Sequence, residues 1–236
     1  MALILNIETS TEVCSVSLAG NGQLLFKKES IDGMNHSRLL TVFIEQLFAE
    51  NNMLINTIEA VAVSKGPGSY TGLRIGVSVA KGLCYGLNIP LISINSLEIL
   101  GNYAARNMAK YDLSDDGKTV LFCPMIDARR MEVYTALYNS AGEEIRPVFA
   151  EIIDENFLSD IFENHKIFFL GNGAEKCKNL IKHKNALFEG PVTTSAEFMH
   201  VIAEEKFSKK EFEDVAYFEP FYLKNFVATI PRNKIF

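Results

Sequence analysis

The chain has 236 residues, 48% of them hydrophobic and 22% charged, with a formal net charge of −6. That length fits one large domain or two small ones, and the mixture excludes disorder as the dominant state. The acidic balance excludes nucleic-acid binding by the overall field, so any RNA contact needs a local basic patch or a partner.

Leu3 to Glu8 is short and apolar and reads as a buried strand. Val13 to Leu18 alternates at strand period, Asn21-Gly22 is a hairpin turn, and Gln23 to Lys28 returns as a third strand. Asn35 stands at the N-cap position of a helix on which Leu39, Leu40, Phe43, Ile44, Leu47 and Phe48 recur at helical spacing through Glu50. Ala60 to Ser64 is a short strand, and Gly66-Pro67-Gly68-Ser69-Tyr70-Thr71-Gly72 leads into a helix ending near Leu87. Leu91 to Ile94 is a strand and Ser96 to Lys110 a helix. The order is β-β-β-α-β-α.

Asp112 to Lys118 is polar, with turn chemistry, and serves as the predicted linker. Then the order repeats. Thr119 to Ile126 is an apolar strand ending at Asp127, Glu132 to Tyr138 an alternating strand, and Glu144 to Ala150 a strand placed at an edge by Pro147. Glu155 to Phe162 is a predicted helix, Lys166 to Leu170 a strand, and Gly171-Asn172-Gly173 opens another helix. Thr194-x-x-Glu197 fits a capping box for a further helix, and the aromatic stretch Phe218 to Phe236 is expected to return to the first lobe. Two lobes, 1–111 and 112–236, each with a strand-end acid (Glu8 and Asp127), resemble the α/β architecture of actin, Hsp70 and sugar kinases (the ASKHA fold). That fold holds a nucleotide between its lobes.

Gly66, Gly68 and their neighbours sit where backbone N–H groups and a helix N-terminus can hold an anion. The segment is neither a Walker A loop nor a dinucleotide fingerprint, and from the residues alone a tight turn with Thr71 as N-cap is the favoured alternative. Gly72, Gly76, Ala80 and Cys84 form one small-residue stripe along the following helix, and Ser78, Gly82 and Gly86 a second. Each interior glycine costs about 1 kcal/mol against alanine, so another backbone should approach closely, from this chain or from another subunit. Glu8-Thr9-Ser10-Thr11, Asp127-Ala128-Arg129-Arg130 and Gly171-Asn172-Gly173 read either as groups facing a phosphate and its metal or as capped turns.

The four histidines show no metal-ligand spacing, and there is no G-x-S-x-G nucleophile elbow. Lys176, Lys178, Lys182, His183 and Lys184 form a basic face, open to solvent or to a phosphate backbone. The longest charge-free stretch near the middle, Gly82 to Leu97, is too short and polar for a membrane span, and the N-terminus lacks a basic signal region. Cys14, Cys84, Cys123 and Cys177 lie apart among apolar neighbours, as expected of buried thiols in a reduced cytoplasmic protein.

Leu5-Asn6-Ile7-Glu8-Thr9-Ser10-Thr11, the run Ser64 to Gly76, Ile126-Asp127-Ala128-Arg129 with Glu132-Val133-Tyr134, and Pro220-Phe221-Tyr222-Leu223-Lys224 together resemble the TsaB (YeaZ) family. The resemblance implies the two-lobed fold and a non-catalytic subunit of the machinery that installs threonylcarbamoyladenosine next to the tRNA anticodon. It implies pairing with the catalytic paralogue TsaD, recruitment of the ATPase TsaE, tRNA contact through the complex, and self-pairing when the chain is alone. The metal-binding histidines of TsaD align with Ser96 and Leu100, and neither can replace them. The family's usual aspartate is Glu8 here. The resemblance also places a partner interface on His36, Leu39, Leu40, Phe43, Gly72, Gly76 and Ala80, so that Gly76→Leu is expected to abolish pairing and spare the fold. It leaves ADP or ATP with Mg open, with Glu8, Thr9, Ser10, Gly66, Gly68, Asp127, Gly171 and Gly173 as the nucleotide-binding candidates. The alternative reading is an ATP-dependent kinase or ATPase of the same fold. A peptidase would need a nucleophile or metal that the sequence does not offer.

Overall fold

The computed structural model describes residues 2–33, 35–111, 117–188 and 193–224. Most of the predicted linker (112–116) and the end of the predicted tail (225–236) lie outside them. The first lobe opens with the predicted meander, β1 (Leu3–Glu8), β2 (Cys14–Gly20) and β3 (Gln23–Ser30), followed by α1 (His36–Ala49), β4 (Ala60–Gly66), α2 (Tyr70–Leu87), β5 (Leu91–Asn95) and α3 (Ser96–Arg106). The sheet order is β3-β2-β1-β4-β5. β1 runs antiparallel to β2, with Leu5 opposite Leu18, and parallel to β4, with Ile7 opposite Val63.

β1 is buried on both faces because both are covered. Leu5, Ile7, Val16 and Val63 meet Leu40, Ile44 and Leu47 of α1 and Val77 and Ala80 of α2. Ile4, Ala60, Ala62, Ile92 and Ile94 meet Ala196, Met199, Ile202 and Ala203 on the opposite side. Those last residues belong to a short 3-10 turn and to α4 (His200–Lys209), so chain from beyond the second lobe closes the first. The same segment continues along the sheet edge. The Glu213 amide donates to the Leu91 carbonyl (2.8 Å) and the Phe221 amide to the Lys65 carbonyl (2.7 Å).

The second sheet contains β6 (Thr119–Asp127), β7 (Glu132–Asn139), β8 (Glu144–Ile152), β9 (His165–Leu170) and β10 (Ala186–Phe188), in the order β10-β9-β6-β7-β8. β8, with Pro147, is at the edge as expected. The strand order repeats that of the first lobe, with short β10 where β5 stands. The two predicted helices are not formed: 155–164 is a run of turns, and after Gly173 only the 3-10 turn Glu175–Cys177 appears. Asp154 Oδ1 accepts from the Asn156 amide (2.9 Å), and Leu158 adopts φ +56°. Segments this short nucleate poorly, so burial of Phe157, Leu158 and Phe162 sets their path instead. α3 lies between the sheets. Its Ile99 packs on the first lobe, while Leu97, Leu100 and Ala104 pack on Phe122, Ile126 and Tyr138 of the second.

Two caps differ from expectation. Ser69, not Thr71, caps α2, its Oγ accepting from the Gly72 amide (3.2 Å). Ser195, not Thr194, caps the 3-10 turn before α4. Thr194 Oγ1 instead lies 3.1 Å from Thr11 Oγ1.

All four cysteines are free and buried. Burial pushes the Cys14 thiol up to about 11 and Cys84 and Cys123 up to about 12. A thiol reagent near pH ~8 should therefore label the native chain far more slowly than the chain in concentrated guanidinium. Equal rates would show that one of these thiols is accessible.

Candidate functional site

The end of β1 meets the glycine turn. Glu8, Thr9 and Ser10 are completely buried. The Ser10 amide donates to Glu8 Oε1 (2.6 Å), and the Ser69 amide donates to the Ser10 carbonyl (2.7 Å). Glu8 Oε2, Thr9 Oγ1 and Ser10 Oγ have no partner among the described residues. Burial holds the Glu8 carboxyl above its ordinary value, while the Ser10 amide and the nearby hydroxyls of Ser10, Ser64 and Thr194 pull it down.

The glycines of this turn are filled from within the chain. A Cβ at Gly66 would stand 2.6 Å from the Phe221 carbonyl oxygen, and one at Gly68 would stand 2.2 Å from that of Ser10. On α2, a Cβ at Gly72 would stand 2.1 Å from the Thr9 carbonyl oxygen, and one at Gly76 2.2 Å from Thr9 Oγ1. The close approach that the first small-residue stripe demands is therefore made at Gly72 and Gly76 by Thr9, the residue after β1.

The second-lobe group sits at the end of β6. Asp127 pairs with Lys176 and accepts from the Arg129 amide (2.8 Å). Gly171 and Gly173 pack on the same strand: a Cβ at Gly171 would stand 2.3 Å from the Met125 carbonyl oxygen, and the Gly173 amide donates to that oxygen (3.0 Å). The two groups are joined indirectly, because Asn172 accepts from the Asp127 amide and donates to Glu12 Oε2 (2.8 Å). These residues do not fit a magnesium nucleotide. The first-lobe carboxyl is buried away from solvent, the second is engaged by Lys176, and the chain's own backbone occupies the glycine spaces.

Glu8 gives a pH signature. Its folded-state pKa lies above the ordinary 4.5, so the folded state holds the proton more tightly than the unfolded state. Its contribution is full below pH 4.5 and is lost as pH rises through the folded-state value. Glu8→Gln keeps an acceptor for the Ser10 amide and has no charge to bury. The melting temperature of Glu8→Gln should exceed that of the parent by a margin that widens from pH 4.5 toward neutrality. A constant margin would show that Glu8 keeps its ordinary titration.

The predicted interface residues divide differently from the expectation. Leu40 and Ala80 belong to the first-lobe core, and Gly72 and Gly76 face Thr9. His36 is buried, its Nε2 3.1 Å from the Val13 carbonyl oxygen. Leu39 and Phe43 are half-buried against the same core. Five of the seven thus turn inward, and Gly76→Leu would break the fold rather than spare it. What the two helices leave open is an apolar groove of about 420 Å³, lined by Ile44 and Phe48 of α1, Val79 and Leu83 of α2, and Met53, Leu54 and Ile55 of the intervening loop. Leu54 is 70% exposed. Sequence reading missed Val79 and Leu83, although they stand four apart beside the small-residue stripe. Ser96 is buried with its Oγ unpartnered, and Leu100 sits in the core between the sheets.

A family model described as "TsaD: tRNA N6-adenosine threonylcarbamoyltransferase" matches residues 30–231. The tRNA threonylcarbamoyladenosine biosynthesis protein TsaB of Bacillus subtilis is 32% identical over 232 residues, covering 94% of this chain and 93% of that protein. The chain belongs to the TsaB family. TsaB of Escherichia coli is 30% identical over 233 residues, covering 95% of this chain and 96% of the relative. The solved structure of YeaZ from Pseudomonas aeruginosa superimposes with a TM-score of 0.78 at 25% identity, covering 94% of this chain and all of that one. This TsaB-family chain thus shares the two-lobed fold expected from its sequence. No described helix is long and apolar enough to cross a membrane.

Proposed function

We propose that the chain is the dimerisation and scaffold subunit of a tRNA threonylcarbamoyltransferase complex. Its relatives are tRNA threonylcarbamoyladenosine biosynthesis proteins, and the chain takes part in the same modification. In this reading it pairs with a TsaD-type catalytic paralogue, a TsaE-type ATPase joins them, and tRNA meets the assembly. The chain itself carries no catalytic step, and it works in the cytoplasm as two lobes, 1–111 and 112–236, the tail of the second returning to the first.

The observation that carries the reading is the groove between α1 and α2. An apolar hollow of about 420 Å³ beside a 70% exposed leucine is a surface that gains by being covered. A paralogue fits it because the matching family model is TsaD's and spans both helices, so the partner presents a related pair. Two related helix pairs can meet about a pseudo-twofold axis, like face to like face. The same symmetry allows self-pairing when the paralogue is absent.

The test is light scattering after gel filtration, on this chain alone and mixed with the TsaD-type protein of the same genome. The expected result is a one-to-one heterodimer that displaces any homodimer. Two unshifted peaks would overturn the proposal. The kinase or ATPase alternative requires a magnesium nucleotide between Glu8 and Asp127, and the burial of Glu8 and the pairing of Asp127 argue against it.

A further inference from the structure

We infer that a basic and aromatic strip joining the two lobes is the surface by which this chain holds the sugar-phosphate backbone of a folded RNA; the inference rests on the proposed function. On the first lobe, Arg74 is exposed, lies 4.5 Å over the Tyr70 ring and donates from Nε to the Tyr222 hydroxyl (3.2 Å). The Tyr70 and Tyr222 rings are 4.8 Å apart. Two residues on, Lys224 pairs with Glu132 at the start of β7 in the second lobe. Tyr134 lies on the same side of β7, within the fields of Lys224 and Arg129. Arg129 and Arg130 complete the strip.

Those two arginines are its most unusual members. They adopt φ of +71° and +52° in succession, a conformation that residues with a Cβ avoid. The turn is held from behind. The Ala128 amide donates to the Glu132 carbonyl (3.1 Å), the Glu132 amide to the Arg129 carbonyl (3.2 Å), and Lys176 Nζ to the Arg130 carbonyl (2.8 Å). Both side chains are exposed, and neither forms an ion pair among the described residues. The nearest carboxylates are engaged, Asp127 with Lys176 and Glu132 with Lys224; Glu219 near Arg74, Glu12 on Asn172 and Glu151 opposite Val133 add negative charge at the strip's borders.

The unpaired guanidinium groups of Arg129 and Arg130 suit phosphates, and the rings of Tyr70 and Tyr222 beside Arg74 give unstacked bases a surface to stack on. An overall charge of −6 makes such a strip the local basic patch that RNA contact requires. The lysines 178, 182 and 184 are also exposed, but the ring between them, His183, is already stacked on Phe162, with centroids 4.5 Å apart.

The experiment measures fluorescence anisotropy of a labelled, unmodified tRNA transcript against salt. It compares the parent, R129Q/R130Q and the control K182Q/K184Q, each mixed with the TsaD-type partner and each alone. Loss of two phosphate contacts should lower the slope of log affinity against log salt by about 1.4–1.8, or about 25–60-fold in affinity at ~0.1 M salt. Light scattering should show the heterodimer intact in all three. R129Q/R130Q binding with the parent's slope and affinity would overturn the inference, as would an equal loss in the control. Loss of the heterodimer in R129Q/R130Q alone would also overturn it, by making the strip a protein contact. If no variant forms a heterodimer, the scaffold reading fails, and the same comparison on the chain alone decides the strip by the same criteria.

Discussion

Gly72→Val should melt the first lobe on the order of 10 °C or more below the parent, a loss of about 3 kcal/mol or more at roughly 2–4 °C per kcal/mol. A Cβ there would stand 2.1 Å from the Thr9 carbonyl oxygen, and Ser69 Oγ crowds the same space at 3.2 Å. Neither wall gives way easily. The Thr9 carbonyl belongs to the turn in which the Ser10 amide bonds Glu8, and Ser69 is the cap of α2. Gly76→Leu meets the same turn through Thr9 Oγ1 and should fail with it. The helix supplies its own controls. Nothing lies within 4 Å of a Cβ at Gly82 or Gly86, so alanine at either should stabilise the chain by up to about 1 kcal/mol. Thermal unfolding followed by circular dichroism separates the two classes. A Gly72→Val chain that melts with the parent would show that β1 and α2 are less closely apposed than described.

The double variant Leu54→Glu, Val79→Glu should lose pairing and keep its fold. Leu54 is 70% exposed and Val79 half-buried, so neither charge enters the core of the isolated chain. Both line the groove, where a covering partner would have to desolvate them. Central apolar anchors of an interface are worth about 2 kcal/mol or more each, so the pair should weaken affinity by about a thousandfold. Light scattering of the mixed proteins reads the effect, and an unchanged melting curve certifies the fold. A variant that still forms the heterodimer would remove the groove from the interface.

The buried hydroxyls around Glu8 tie the first lobe to the returning chain. Ser17 Oγ donates to the Ala196 carbonyl (2.8 Å), and the Ala196 amide donates to Ser15 Oγ (3.1 Å). Ser195 Oγ donates to Glu29 (2.8 Å). These bonds span 166 to 181 positions. Of the strand-end residues that the sequence allowed to face a phosphate, Thr11 joins this closure, its Oγ1 lying 3.1 Å from Thr194 Oγ1.

The strands and helices of the first lobe were legible from the sequence because periodicity, caps and turns act over a few residues. β1 to β5, α1 and α2 lie where their patterns place them, and the family resemblance followed from motifs of the same short reach. The small-residue stripe also announced that a backbone must approach α2. The tertiary structure alone decided that Thr9 fills the space at Gly72 and Gly76, that five expected interface residues turn inward, and that the groove of Leu54, Val79 and Leu83 is open. It also decided that 155–164 forms turns and that residues beyond 193 cover the first sheet. Close approach and burial join residues tens to hundreds of positions apart, and no local pattern encodes which surface a side chain will meet.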